Sequence, residues 1–264
     1  MFLLSVIICG YQISGDKLIG LFMGLLFAGL YATSACFSVN WMPKPFDGIS
    51  IGILGLTLIS IKRPWLLAAF SFLTCWSEER AILSLCFIGV FILLRADIDK
   101  AQKQKSCLII AGAILAYFIS RAILSFALGW SAPDVTQLGV NPLPVLLRYL
   151  PLTMWSCFEG AWIGIIAASW LLLKKKKRIT TVLFVGSVLL ALLSCMLAVD
   201  TSRSSSFAFP LIPLAFALLK DADISLHKFR ILVGSAAAFS ILIPNFEIMG
   251  TAIRWLPSLL RLTF

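Results

Sequence analysis

Charge is what this chain has least of. Asp, Glu, Lys and Arg make up 13% of its 264 residues, and the 12 carboxylates are outnumbered by 22 Lys and Arg. Histidine occurs once, at His227. A structural metal site built on imidazole and thiolate is therefore not encoded, because no Cys/His cluster surrounds that residue. The seven cysteines lie almost entirely inside apolar runs and none forms a Cys-x-x-Cys pair. They read as small buried apolar residues. There is no P-loop, no Gly-x-Ser-x-Gly elbow, no His-Glu-x-x-His and no dinucleotide fingerprint, so a soluble-type nucleotide-binding catalyst is excluded. The sequence also lacks a fixed-period repeat, and its one low-complexity stretch is the tetrad Lys174–Lys177. No basic region precedes Phe2-Leu3-Leu4, which makes the start a poor signal peptide.

What the chain does have is apolar length. Its hydrophobic fraction is 60% and its mean hydropathy +1.00, where a soluble domain would hold about 45–50% apolar residues. The expected fold is all-α: a polytopic integral membrane protein of about nine or ten helical segments, some short and broken. The segments read as 1–13, 17–39, 46–61, 65–77, 80–95, 107–128, 151–173, 179–199, 206–220 and 230–247. They form one transmembrane helical domain over 1–264, with no soluble domain. Residues 1–13 are too short for a full span and read as an incomplete first segment. Four prolines punctuate 129–151, which reads as a loop with one short interfacial helix at 143–150.

The net charge of +10 sets orientation and does not point to nucleic acid. Lys and Arg cluster at Lys62-Arg63, Arg95–Lys105, Lys174–Arg178 and Lys220–Arg230, at alternate ends of the segments. With Lys17, one topology places 15 of the 22 cations on the cytoplasmic side. The expected location is a bacterial inner membrane. Asp47, Glu78, Glu79, Asp134, Glu159, Asp200 and Glu247 then fall on the outer side. Trp41, Trp76, Trp130, Trp155 and Trp255 lie near the outer boundaries, where interface anchoring accounts for most of them.

Three constellations on that side carry candidate chemistry. Ser77-Glu78-Glu79-Arg80 interrupts the apolar run from Pro64 to Leu94. Ionisable groups at bilayer depth are costly and usually functional. Two carboxylates and a guanidinium there suit a hydroxyl-rich or cationic ligand, or a phosphate gripped by Arg80; the bland alternative is a Glu–Arg pair sealing the turn. Asp200-Thr201-Ser202-Arg203 follows a span, with Asp200 and Arg203 one helical turn apart. Asp200 is placed to pair with Arg80, and Arg203 with Glu78 or Glu79; an ordinary outer loop is the alternative. Asp47, in Pro45-Phe46-Asp47-Gly48, reads as an N-cap for a helix over 48–61, compatible with ligand contact. Arg121 and Glu159 lie in the outer halves of apolar segments. Either they pair with each other, or Arg121 faces an outer cavity that suits a lipid phosphate.

The stretch 17–95 resembles the GT-C class of membrane glycosyltransferases. The matching pieces are Pro45-Phe46-Asp47, Lys62-Arg63-Pro64, and Leu73-Thr74-Cys75-Trp76-Ser77-Glu78-Glu79-Arg80. Asp200 and Arg203 resemble a second Asp-x-x-Arg element of bacterial membrane proteins with a similar layout. The resemblance implies a transferase acting at the outer face on a polyprenyl-phosphate-linked sugar. It implies Glu79, Asp47 and Asp200 as catalytic acids or bases, with Glu78, Arg80, Arg121, Arg203 and Glu159 contacting substrate. A divalent metal is compatible with that scheme and not required by it. The chain departs from the class at its start. Residues 1–13 align with the second span, so the first span and its acidic outer loop would lie upstream of Met1. The competing expectation is a transporter, a lipid-binding membrane protein, or a structural subunit of a membrane complex.

Overall fold

The computed structural model describes residues 1–37, 45–129, 143–197, 201–243, 245–249 and 252–256. Apart from one β-hairpin near the C-terminus, the secondary structure there is helical. It is built from thirteen α-helices rather than nine or ten segments, because several apolar runs are broken within their length.

Helices α1 (Phe2–Ser14) and α2 (Lys17–Gly29) form an antiparallel hairpin. Gly15 closes α1 with φ 71°, a left-handed conformation that a side chain would disfavour. Asp16 then caps α2, its Oδ1 accepting from the N–H groups of Leu18 at 2.8 Å and Ile19 at 3.2 Å. The two helices pack closely enough that a Cβ on Gly20 would lie 2.8 Å from the Ile7 carbonyl oxygen. Residues 2–14 form a short helix packed against α2, α4 (Pro45–Ile59) and α12 (Leu211–Lys220).

The run 17–39 does not form one helix. Leu30 adopts an extended conformation, and α3 (Tyr31–Phe37) starts anew beyond it. The segment from 143 breaks late. Helix α8 (Leu143–Phe158) continues through Pro151, and the interruption comes at a 3-10 turn, Glu159–Ala161, before α9 (Trp162–Lys174). Tertiary packing explains the position. Gly160 is pressed against α13 (Leu226–Leu242), where an added Cβ would meet the Ala236 carbonyl oxygen and lie 2.6 Å from the Ser240 nitrogen. Glu159 takes φ 44° to make that turn.

The boundaries expected at 65–77 and 80–95 hold closely, and others move. α5 (Pro64–Ser77) and α6 (Ala81–Leu94) flank the Glu78–Arg80 turn. α7 (Lys100–Leu128) begins earlier than expected because Asp99 caps it through the Gln102 N–H at 2.8 Å. α10 (Arg178–Leu197) precedes α11 (Thr201–Ser206), and Pro210 separates α11 from α12. The run expected over 230–247 ends as a helix at Leu242. Strands β1 (Asn245–Met249) and β2 (Ala252–Leu256) follow, paired antiparallel with Glu247 opposite Arg254.

The basic turns gather at one end of the bundle. Arg230 bonds Asp16 through Nε at 3.1 Å, the Ala96 N–H donates to Asp221, and Lys175 Nζ donates to the Ala222 carbonyl. Gln102 Nε2 reaches the Ile61 carbonyl at 2.9 Å. Arg95 forks onto Asp97 with two 2.6 Å bonds.

Among the described residues, three segments are long and apolar enough to cross a membrane: Lys100–Leu128, Leu150–Lys174 and Arg178–Leu197. Only 17% of the apolar window in α7 is buried within the molecule. Leu108, Leu115, Ile119, Ile123 and Phe126 of α7 are exposed, Phe126 at 94%. Ile179, Val182, Leu189 and Leu193 give α10 a similar outer face. A soluble monomer rarely leaves so continuous an apolar surface in water.

Candidate functional site

At the end of the bundle opposite the basic turns, the α5–α6 turn and α11 converge on Asp47 of α4. It lies in the first turn of α4 and its side chain is 1% exposed. It does not serve as the N-cap expected from the sequence, because its carboxylate is engaged by tertiary partners. Arg80 donates from Nη2 to Asp47 Oδ1 at 2.9 Å, and Arg203 Nη1 approaches Oδ2 at 3.4 Å. Arg80 also donates from Nε to Glu78 at 2.7 Å and from Nη1 to Ser204 Oγ at 3.1 Å. Its guanidinium stacks 4.9 Å from the centre of the Phe207 ring. Burial pushes the Glu78 carboxyl up, but the Arg80 guanidinium more than offsets this and holds it below the usual glutamate range.

The arrangement follows from local structure. Glu78 ends α5 in an extended conformation, and Arg80 leads into α6, so the two side chains project from one tight turn. Arg203 and Ser204 belong to α11, whose Ser206 hydroxyl bonds the Arg203 carbonyl at 2.6 Å and lies 2.9 Å from Cys36 Sγ on α3. The Ser84 hydroxyl of α6 bonds the Phe207 carbonyl, fixing the chain just beyond α11 to the same turn.

A second pair sits beside the first. Arg121 of α7 bonds Glu79 and, from Nη1, the Tyr117 hydroxyl at 2.6 Å. Tyr117 in turn meets Trp76 edge-on at 5.5 Å. Arg121 lies about 10 Å short of the end of α7, at a rise of about 1.5 Å per residue. The Glu78–Arg80 turn therefore sits recessed below the tip of that helix.

The structure brings together Asp47, Glu78, Glu79, Arg80, Arg121 and Arg203, all expected from the sequence. The pairing differs from expectation. Arg203 meets Asp47 rather than Glu78 or Glu79, and Arg121 meets Glu79 rather than Glu159. Glu159 is placed elsewhere: its Oε1 accepts from the Tyr31 N–H at 2.6 Å, at the opposite end of α3 from Cys36. Its carboxylate there meets the exposed N–H groups of a restarting helix, a favoured position for an anion. Asp200 lies outside the described residues. Tyr117, Ser204 and Phe207 were not singled out from sequence. Tyr117 had one signal, its position four residues before Arg121 on a helix.

Ser50 lies one turn beyond Asp47 on α4, fully buried, and its hydroxyl has no hydrogen-bond partner among the described residues. Ser71 and Thr74 of the neighbouring α5 are in the same state. Among the described residues no group of three or more His, Cys, Asp or Glu is arranged to hold a metal. Glu78 and Asp47 converge as a carboxylate pair, but both are engaged by Arg80. No known family model matches this chain, and no curated protein or solved structure is significantly similar to it.

Proposed function

We propose that this chain is a polytopic protein of a bacterial inner membrane, its basic turns in the cytoplasm. We further propose that the cluster around Asp47 works at the outer face as the site of a GT-C-like glycosyltransferase using lipid-linked sugar. The observation that supports this best is the convergence of Arg80 and Arg203 on one buried carboxylate in a recess. The Arg80 side chain is 32% exposed and uses three of its five N–H donors on Asp47, Glu78 and Ser204. The remaining donors, with those of Arg121, suit the oxygens of a lipid phosphate, and the Arg203 guanidinium adds positive charge beside them. Asp47 orients the two guanidiniums. Glu79, 59% exposed, is the carboxylate able to reach an acceptor hydroxyl and take its proton as the new glycosidic bond forms. The apolar outer faces of α7 and α10 would keep a polyprenyl chain in lipid.

A second reading has its own support. Three carboxylates and three guanidiniums balance within the cluster, as they would in a transport or lipid-binding protein that performs no chemistry, or at a contact with partner helices. The deciding experiment uses the purified chain in proteoliposomes with a polyprenyl-phosphate hexose and a hydroxyl-bearing lipid acceptor, and measures hexosylated acceptor together with the polyprenyl phosphate released as the bond from hexose C1 to phosphate oxygen breaks. Turnover should occur, and Glu79→Gln should lower it by about 100-fold or more while the protein still accumulates. Binding without turnover by the unaltered chain would favour the transport reading. Failure of both Glu79→Gln and Arg80→Ala to accumulate would make the cluster structural.

A further inference from the structure

A cavity lies at the basic end, away from the Asp47 cluster. It has a volume of about 510 Å³, within the range of small-molecule sites. Its walls come from α1, the end of α4, the following turn, and the end of α6 with residues 97–98. The inner wall is apolar, formed by residues such as Ile8, Leu58 and Phe91. The polar lining is Gln12, Ser60, Lys62, Arg63, Arg95 and Asp97. Three cations against one carboxylate leave a net charge of +2.

Two features make this more than a basic surface. Arg95 is buried, held by its fork onto Asp97 and stacked 5.2 Å from the Phe91 ring centre. The fork occupies Nε and Nη2, so Nη1 keeps its donors without a partner among the described residues. Lys62 and Arg63 are exposed at the turn, Lys62 close enough to act on the Asp97 carboxylate through its charge. Arg63 is also the N-cap of α5 and provides no side-chain cap; Pro64 has no N–H, so the first-turn donors not met by a cap are those of Trp65 and Leu66.

We infer that this cavity binds a phosphate-bearing ligand, with the phosphate held by Lys62, Arg63 and Arg95 and an apolar portion directed between α1 and α4. An anionic lipid headgroup and a soluble phosphorylated molecule share this chemistry. The inference rests on the membrane placement of the basic end and not on the transferase reading. Its variants leave the Asp47 cluster untouched, so failure of one does not imply failure of the other.

The test uses the full chain in phosphatidylcholine nanodiscs. Binding of labelled phosphatidic acid is compared with that of labelled phosphatidylcholine, and binding of glycerol phosphate is measured in parallel. Preference for phosphatidic acid is expected. The double variant Lys62→Gln/Arg63→Gln should weaken it by about 30-fold, at about fivefold for each cation near the membrane surface. Lys103→Gln/Lys105→Gln removes the same charge at the same end and should change binding less than twofold. Glycerol phosphate binding as tightly as phosphatidic acid would assign the site to a soluble ligand; weaker binding would assign it to lipid. Equal loss in both double variants would reduce the effect to diffuse surface charge and overturn the inference. So would the absence of any preference over phosphatidylcholine together with no binding of glycerol phosphate.

Discussion

Asp47 illustrates how a single buried carboxylate can organise several elements. Its two oxygens receive guanidiniums from the α5–α6 turn and from α11. Removing the negative charge would leave two cations facing each other in a recess. Asp47→Asn should therefore destabilise the protein by about 3 kcal/mol, the lower end of the range for breaking a buried ion pair, since Arg80 is part-exposed. Thermal unfolding in detergent would measure this. Adding Arg80→Gln to Asp47→Asn should recover part of the loss, because the two residues share one network. Gly160 makes a different demand. Any Cβ there collides with the α13 backbone, so Gly160→Ala should cost about 1–3 kcal/mol as overpacking. Ser71→Ala should go the other way and stabilise slightly, since a buried hydroxyl without a partner is removed.

The helices differ in what holds them. α7 is long, capped by Asp99, and turns most of its apolar side chains outward. Its inner face packs on α5 and α6, and in the proposed membrane placement its outer face rests on lipid. Leu115→Lys, near the middle of its exposed face, should cost about 3 kcal/mol of insertion free energy. The fraction of protein resisting carbonate extraction would report it. The short helices α4, α5 and α6 are about 21 Å long, below the thickness of a bilayer core. They depend on being packed together with their polar ends in turns. At the basic end, Arg230 holds Asp16 below the usual aspartate range, helped by the Leu18 and Ile19 N–H groups. Burial pushes Asp97 up, but the Arg95 fork outweighs it and keeps Asp97 low as well. Both carboxylates have depressed folded-state values, so their stabilisation is present above the ordinary aspartate value of 3.8. It is lost as pH falls through the folded-state values. The unfolding temperature should decline between pH 4 and roughly pH 2, and Asp16→Asn should flatten that decline.

Across the whole molecule, charge is sorted by end. The turns at 15–17, 60–63, 95–99, 174–178 and 220–230 meet through Asp16–Arg230, Gln102–Ile61, Ala96–Asp221 and Lys175–Ala222. The Asp47 cluster lies at the other end. In a background with the native cysteines replaced, a cysteine at position 134 should react with an impermeant reagent added outside cells, and one at position 103 should not. The reverse pattern would invert the orientation.

The order of polar and apolar residues was enough to define several things. It marked the two helices on either side of Glu78–Arg80, because Lys62-Arg63 and Arg95 bracket an apolar run of fixed length. It also divided the ends into basic and mixed, because Lys and Arg recur at alternate segment boundaries. Only the tertiary structure decided which acid meets which base. Arg203 and Asp47 are far apart in sequence, and nothing in either neighbourhood distinguishes Asp47 from Glu78 as a partner. The breaks at Leu30 and Glu159 were hidden for the same reason. Hydropathy does not change at Leu30, and at Glu159 a single charge does not say whether the helix breaks; what sets both positions is the approach of another element, with α13 against Gly160 and Glu159 against the start of α3. Apolar length is a property of the chain, while crossing distance and partner choice belong to the packed molecule.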